Sequence, residues 1–162
     1  MSESATKSDL LPTNFVGTTM AGVQNEDGKF RIYFQNKEYQ ICEMSLDDPN
    51  STTHTILKLT TSAMPAARIN TPIAAGAWDN LREIRVYYIT ADSQVQEICY
   101  THGVGWQKGA HLGVAVDNST CLYAQHQNKE PYMRVGFQSS TAPQTITETC
   151  YYDQGGWETR VF

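Results

Sequence analysis

No stretch of this chain approaches the roughly 18 consecutive apolar residues that crossing a bilayer requires, so membrane insertion is not expected. Cysteine is scarce. The four thiols, Cys42, Cys99, Cys121 and Cys150, form no CxxC pair and no dense array, which argues against a disulfide framework or a zinc site. Cys99 and Cys150 each follow a glutamate by two residues in similar segments and are expected to be buried free thiols. The chain also lacks a basic surplus. A net charge of -5 makes nucleic acid and anionic membranes poor partners. The opening MSESATKSDLLPTNF lacks the basic-then-apolar order of a secretory signal. Residues 1–16 are therefore expected to form a polar, disordered N-terminal arm. The location expected is the cytoplasm, or release without a signal peptide. Without a signal, the Asn-x-Ser/Thr triplets at Asn50 and Asn118 are not expected to be glycosylated.

A 3.6-residue apolar period is missing as well. In its place, short runs rich in Val, Ile, Tyr, Phe and Thr alternate with turn clusters, which predicts an all-β chain. Three of these runs are related. FRIYFQNKEYQICEM (30–44), IRVYYITADSQVQEICY (84–100) and MRVGFQSSTAPQTITETCY (133–151) each place an arginine after an apolar residue and a glutamate beyond a polar turn. The Arg-to-Glu offset is 12 residues in the first two copies and 14 in the third. A small-residue run precedes each arginine: TTMAGVQ, TPIAAGAW and TCLYAQH. A Gly-Trp turn follows the second and third glutamates. Four short strands in roughly 50 residues is the unit of a β-propeller blade, with the small-residue strand innermost where blades converge. The repeats are expected at about 17–64, 65–113 and 114–162. Propellers close with four to eight blades. Three four-stranded blades per chain therefore predict a six-bladed ring completed by a twofold dimer, or half of a longer propeller.

Strand alternation puts Arg85 and Glu97 on one face, where they can oppose one another across a hairpin turning near Ala91. The aromatic three residues after each of the second and third glutamates faces the other way. A gap between blades would then be walled by Arg and Glu on one side and aromatics on the other. Such a clamp fits a sugar, which has an apolar face and a rim of hydroxyls. Scattered histidines and the Cys99/His102 pair do not form a metal cluster, and no cofactor is implied.

The combination IRVYY…VQEICY…GVGWQKGAHLG, preceded by TPIAAGAW, resembles the repeat of the Aleuria-type fungal fucose-specific lectins and their short bacterial relatives. The resemblance spans about residues 17–162 and is strongest in the middle repeat. It implies a six-bladed propeller that binds L-fucose and fucosylated glycans between blades, without catalysis, metal or cofactor. Carried over by position, it implies one site of Arg31 and Glu43 with Tyr100 and Trp106. A second would use Arg85 and Glu97 with Tyr151, Trp157 and Ala110.

A third site, at Arg134 and Glu148, is expected to be weak or absent, because the first repeat supplies Leu46 and roughly Thr52 where Tyr and Trp are needed. His54 or another loop residue would have to rebuild it. The alternative reading is a propeller binding module for another sugar or a protein partner. A glycosidase is disfavoured, because pairing each glutamate with an arginine would hold it ionised.

Overall fold

The computed structural model describes residues 10–12 and 19–162. Twelve strands run in chain order: β1 Met20–Gln24, β2 Phe30–Gln35, β3 Ile41–Leu46, β4 Thr55–Lys58, β5 Ile73–Trp78, β6 Glu83–Ile89, β7 Gln94–Thr101, β8 Gly105–Val114, β9 Leu122–His126, β10 Met133–Phe137, β11 Thr147–Tyr152 and β12 Gly156–Val161. There is no helix among the described residues. Of the expected polar arm, residues 10–12 are described and Pro12 is buried; the remainder of 1–16 lies outside the described residues, apart from that segment.

The strands form three four-stranded antiparallel sheets in sequence order: β1–β4, β5–β8 and β9–β12. Each is one blade of a propeller and holds one sequence repeat. The small-residue strand β5 packs against both β1 and β9, which places these three strands innermost. Ala74 and Ala75 on β5 allow that approach because a methyl adds little width.

Two apolar cores lie between the sheets. Tyr33 and Ile41 of the first blade pack against Ile84, Val86 and Ile98 of the second. Tyr87, Ile89 and Val95 of the second pack against Met133, Val135 and Phe137 of the third. Alternation along β6 thus sends Val86 to one core and Tyr87 to the other, which leaves both faces of the middle blade covered.

The hairpin register corrects one expectation. The β6–β7 turn spans Thr90–Gln94 and is closed by a hydrogen bond from Gln94 N to Thr90 Oγ1 (2.9 Å), with Ser93 in the left-handed region (φ 64°). The turn therefore centres on Asp92, one residue past Ala91. Arg85 opposes Cys99, and Glu97 opposes Tyr87. Shifting the centre by one residue moves the partner by two. Arg85 and Glu97 thus remain on one face, but as diagonal neighbours.

Candidate functional site

The gap between the second and third blades, gap II, is a cavity of about 410 Å³ lined by Trp78, Arg85, Glu97, Cys99, Tyr132, Met133, Tyr151, Asp153 and Trp157. Four of the five residues assigned to this site from sequence meet here. Ala110 acts through its backbone: its N–H donates to Glu97 Oε1 (3.1 Å). The Tyr87 hydroxyl donates to Glu97 Oε2 (2.8 Å), and Cys99 Sγ lies 3.2 Å from Oε1. Burial, followed by the Glu97 charge, pushes the Cys99 thiol up to about 12 and the Tyr87 phenol well above its usual range. Both therefore stay protonated and serve as donors. A carboxylate offers about four lone-pair directions. Three donors leave Glu97 one acceptor direction to give to a ligand.

Arg85 does not bond to Glu97. Its guanidinium bonds to Glu83 Oε2 (3.0 Å) and donates to the carbonyls of Ile84 (2.9 Å) and Tyr100 (3.0 Å). It also lies over the Trp78 ring, 4.8 Å from the centroid. The fork is held from behind, and the carboxylate nearby is not consumed by it. On the opposite wall Tyr151 and Trp157 meet at 5.4 Å between centroids, and Trp157 stands edge-on to Tyr87 at 6.5 Å.

The gap between the first and second blades, gap I, repeats this plan in about 200 Å³, lined by Arg31, Glu43, Ser45, Leu57, Leu81, Ile84, Tyr100 and Trp106. All four residues assigned to it from sequence are present. The Tyr33 hydroxyl donates to Glu43 Oε2 (2.8 Å), and the Ser45 hydroxyl, in the Cys99 position, donates to Oε1 (3.1 Å). Arg31 donates to the carbonyls of Phe30 and Leu46 and pairs with Asp47 (3.0 Å). The supporting acid thus comes from a different strand end in each gap, while the guanidinium pose is kept. Trp106 is edge-on to Tyr33 at 6.0 Å.

The third blade differs. Only here does the arginine pair with the glutamate: Arg134 to Glu148 Oε1 at 2.9 Å. Arg160 joins the same oxygen through Nη2 (2.6 Å) and Nε (2.9 Å), and Cys150 Sγ lies 3.1 Å away. Burial tends to raise the Glu148 carboxyl. Hydrogen bonds from Tyr123, Cys150 and Arg160, together with the Arg160 charge, bring it down to about 2. The expectation that every glutamate is held by an arginine is therefore corrected for Glu43 and Glu97, which are held by phenols. The register also corrects the position facing Leu46. Ser45 pairs with Thr55, so the residue beside Leu46 is His54, not Thr52.

Sequence reasoning missed Tyr33 and Tyr87, although the Arg-x-Tyr spacing is visible twice. It also missed Ile84 and Met133, which directly precede an arginine and form the apolar corner of each gap. Gly109 carried no signal of its own. A Cβ there would collide with Glu97 Oε1 and Cys99 Sγ. No group of three or more His, Cys, Asp or Glu side chains suited to a metal occurs among the described residues.

Repeated four-stranded blades with an Arg/Glu wall facing an aromatic wall define a partial propeller with clefts between its blades. The family model described as fungal fucose-specific lectin matches residues 14–111, and the chain belongs to that family. A fucose-specific lectin of Aspergillus oryzae is 33% identical over 91 residues, covering 55% of this chain and 27% of that protein. This chain thus spans about a quarter of that relative's length. The six-bladed lectin of Aleuria aurantia superposes with a TM-score of 0.68 at 24% identity, over 96% of this chain and 51% of its own. A fucose lectin from Kordia zhangzhouensis, solved with methyl-fucoside, superposes with a TM-score of 0.59 at 17% identity, over 88% of this chain and 98% of its own. These likenesses establish the fold as part of a propeller.

Proposed function

We propose that this chain is a non-catalytic lectin subunit that binds L-fucose and fucosylated glycans in gaps I and II, and that two copies close a six-bladed ring. The observation that carries this reading is the duplicated clamp: a braced arginine, a carboxylate with acceptor capacity to spare, and a Tyr/Trp wall from the next blade. The aromatic wall suits the apolar face of a sugar. The arginine donates to its ring oxygen and hydroxyls, and the glutamate accepts from them. Fucose carries a methyl where other hexoses carry a hydroxymethyl. Ile84 in gap I and Met133 in gap II supply an apolar corner for it. Charge-assisted hydrogen bonds contribute about 1.5–3 kcal/mol each, so single sites bind modestly. Several on one ring gain roughly 10²–10⁴ in avidity on a dense glycan surface.

Ring closure is supported by the outer flank of the third blade, which exposes Ile146, Val161 and Phe162. A groove of about 390 Å³ runs there between Leu122, Tyr123, Pro143 and Ile146. In the closed ring this flank meets the first blade of the second copy, as the first blade meets the second within one chain. Titration calorimetry with methyl α-L-fucoside tests the reading. Two sites per chain are expected, with Arg31→Ala and Arg85→Ala each removing one. Unchanged stoichiometry in either variant would overturn the site assignment, and a monomer by light scattering would overturn the ring.

A further inference from the structure

Three residues line gap II whose counterparts do not line gap I. Trp78, Tyr132 and Asp153 line the larger cavity. By register and spacing their counterparts in gap I are Asn25, Glu83 and His102, and none of these lines the smaller one. Two aromatic walls and a carboxylate have been added beyond the clamp. The cavity is also about twice the size, about 410 Å³ against 200 Å³, and gap I is in addition narrowed by Leu57, which opposes Glu43 where gap II has Gly109.

Trp78 is also a wall of a second, polar cleft of about 600 Å³, whose other walls come from the β1–β2, β5–β6 and β9–β10 turns. Amides of Asn25, Asn80 and Asn128 line that cleft, which suits hydroxyl groups in both donor and acceptor roles. Its carboxylates are Glu26, Asp27 and Asp79, and no lysine or arginine lines it. Trp78 is fixed in place. Arg85 lies over its ring, and His126 stacks on it at 4.5 Å and 7°. The three residues that follow, Asp79, Asn80 and Leu81, all have positive φ (49°, 56° and 63°). Asp and Asn tolerate that region and leucine does not, so the turn stores strain next to the site. Leu81 is buried in the first core, and Asn25 Nδ2 donates to Asn80 Oδ1 (2.8 Å), which together hold the turn.

We propose that gap II is the inner end of a longer glycan groove. The terminal sugar sits in the clamp, and the next, uncharged sugar residue passes Trp78 into the polar cleft. Gap I reads the terminal sugar alone. This rests on the sugar-binding reading above. The cleft's carboxylates repel an anionic sugar, so an acidic residue at the second position is rejected by gap II.

The test uses the Arg31→Ala chain, in which gap I is disabled, titrated with methyl α-L-fucoside and with neutral fucosylated disaccharides of each common linkage. At least one disaccharide is expected to bind about tenfold more tightly than the methyl fucoside, the effect of one net hydrogen bond or ring stack. Adding Trp78→Ala, or Asp27→Ala with Asn128→Ala, should erase that gain. The cleft pair should leave methyl fucoside affinity unchanged. Absence of any disaccharide gain, or its survival in the cleft variant, overturns the groove. Failure of methyl fucoside itself to bind the Arg31→Ala chain overturns the sugar-binding reading of gap II instead. Should Trp78→Ala fail to fold, the cleft pair decides alone.

Discussion

The same glutamate stands in the second and third blades with opposite outcomes. Glu97 opposes Tyr87, takes that phenol's proton donor, and faces the space left by Gly109. Glu148 opposes Gly136, where no phenol is available. Its tyrosine comes instead from the neighbouring strand: Tyr123 on β9 opposes Gly136 and reaches over it to Glu148 Oε2 (2.6 Å). The position of Gly109 is held by Arg160, which bonds to Glu148 directly. What spares a carboxylate is therefore set by its neighbours as much as by the Arg and Glu themselves. The residue opposite it must not be a competing cation (Gly109 in gap II, Leu57 in gap I, Arg160 in the third blade), and a second acid must draw the arginine aside. Where Arg160 and Arg134 both reach the carboxylate, its acceptor capacity is used up within the chain.

That contrast can be broken from the side of the second blade. Gly109→Arg is expected to convert gap II into the third-blade arrangement, with a new guanidinium on Glu97. Fucoside affinity at that gap should fall by about 100-fold, or roughly 2.7 kcal/mol, and calorimetric stoichiometry should drop from two to one per chain. Retention of both sites would show that spare capacity at Glu97 does not matter.

A second change concerns the relocated tyrosine. Gly136→Ala puts a Cβ into the Tyr123 ring, so it should destabilise the chain by about 1–3 kcal/mol in denaturant melts. The double change Gly136→Ala with Tyr123→Ala restores the space and should recover part of that loss. If the single variant is as stable as the parent, the swap of tyrosine between strands is not what holds Glu148.

The smallest effect expected is on pH dependence, because Arg160 is half exposed and solvent screens its pair. The folded Glu148 carboxyl is depressed from 4.5 to about 2. Its stabilisation is therefore complete above about pH 4.5 and is lost as pH falls towards 2. Glu148→Gln should lower stability at neutral pH and flatten its decline across that acid window. An unaltered acid slope in the variant would assign the acid sensitivity to other groups.

Much of the architecture was legible in advance because strand and turn signals are local. Arg-x-Ile/Val, the Ile-x-Glu step and the Gly-Trp turn recur at nearly constant spacing, and each repeat became one sheet. The facing of Glu97 and Cys99 away from Ile98 followed from the period of two alone. The pairing of Arg85 did not follow, since a turn centred on Asp92 and one centred on Ala91 look alike in sequence. The role of Gly109 was hidden for a related reason. Its register lies within a bulged stretch between β7 and β8, where counting residues does not say which pair is opposed.

The sequence by itself determined that the chain would be all-β, built in three repeats, and that arginine, glutamate and aromatic side chains would sort to defined faces. Periodicity and composition act over a few residues and need no knowledge of the rest. Only the tertiary structure decided which neighbours those side chains meet. Glu83 and Asp47 draw the arginines aside, Trp78 lines both gap II and the polar cleft, and Arg160 occupies the carboxylate of the third blade. The Glu83 contact lies within one strand and those of Asp47 and Arg160 each within one hairpin, but each is one choice among several acids and cations that only the register settles. The Trp78 arrangement arises where separate blades come together, set by packing at long range.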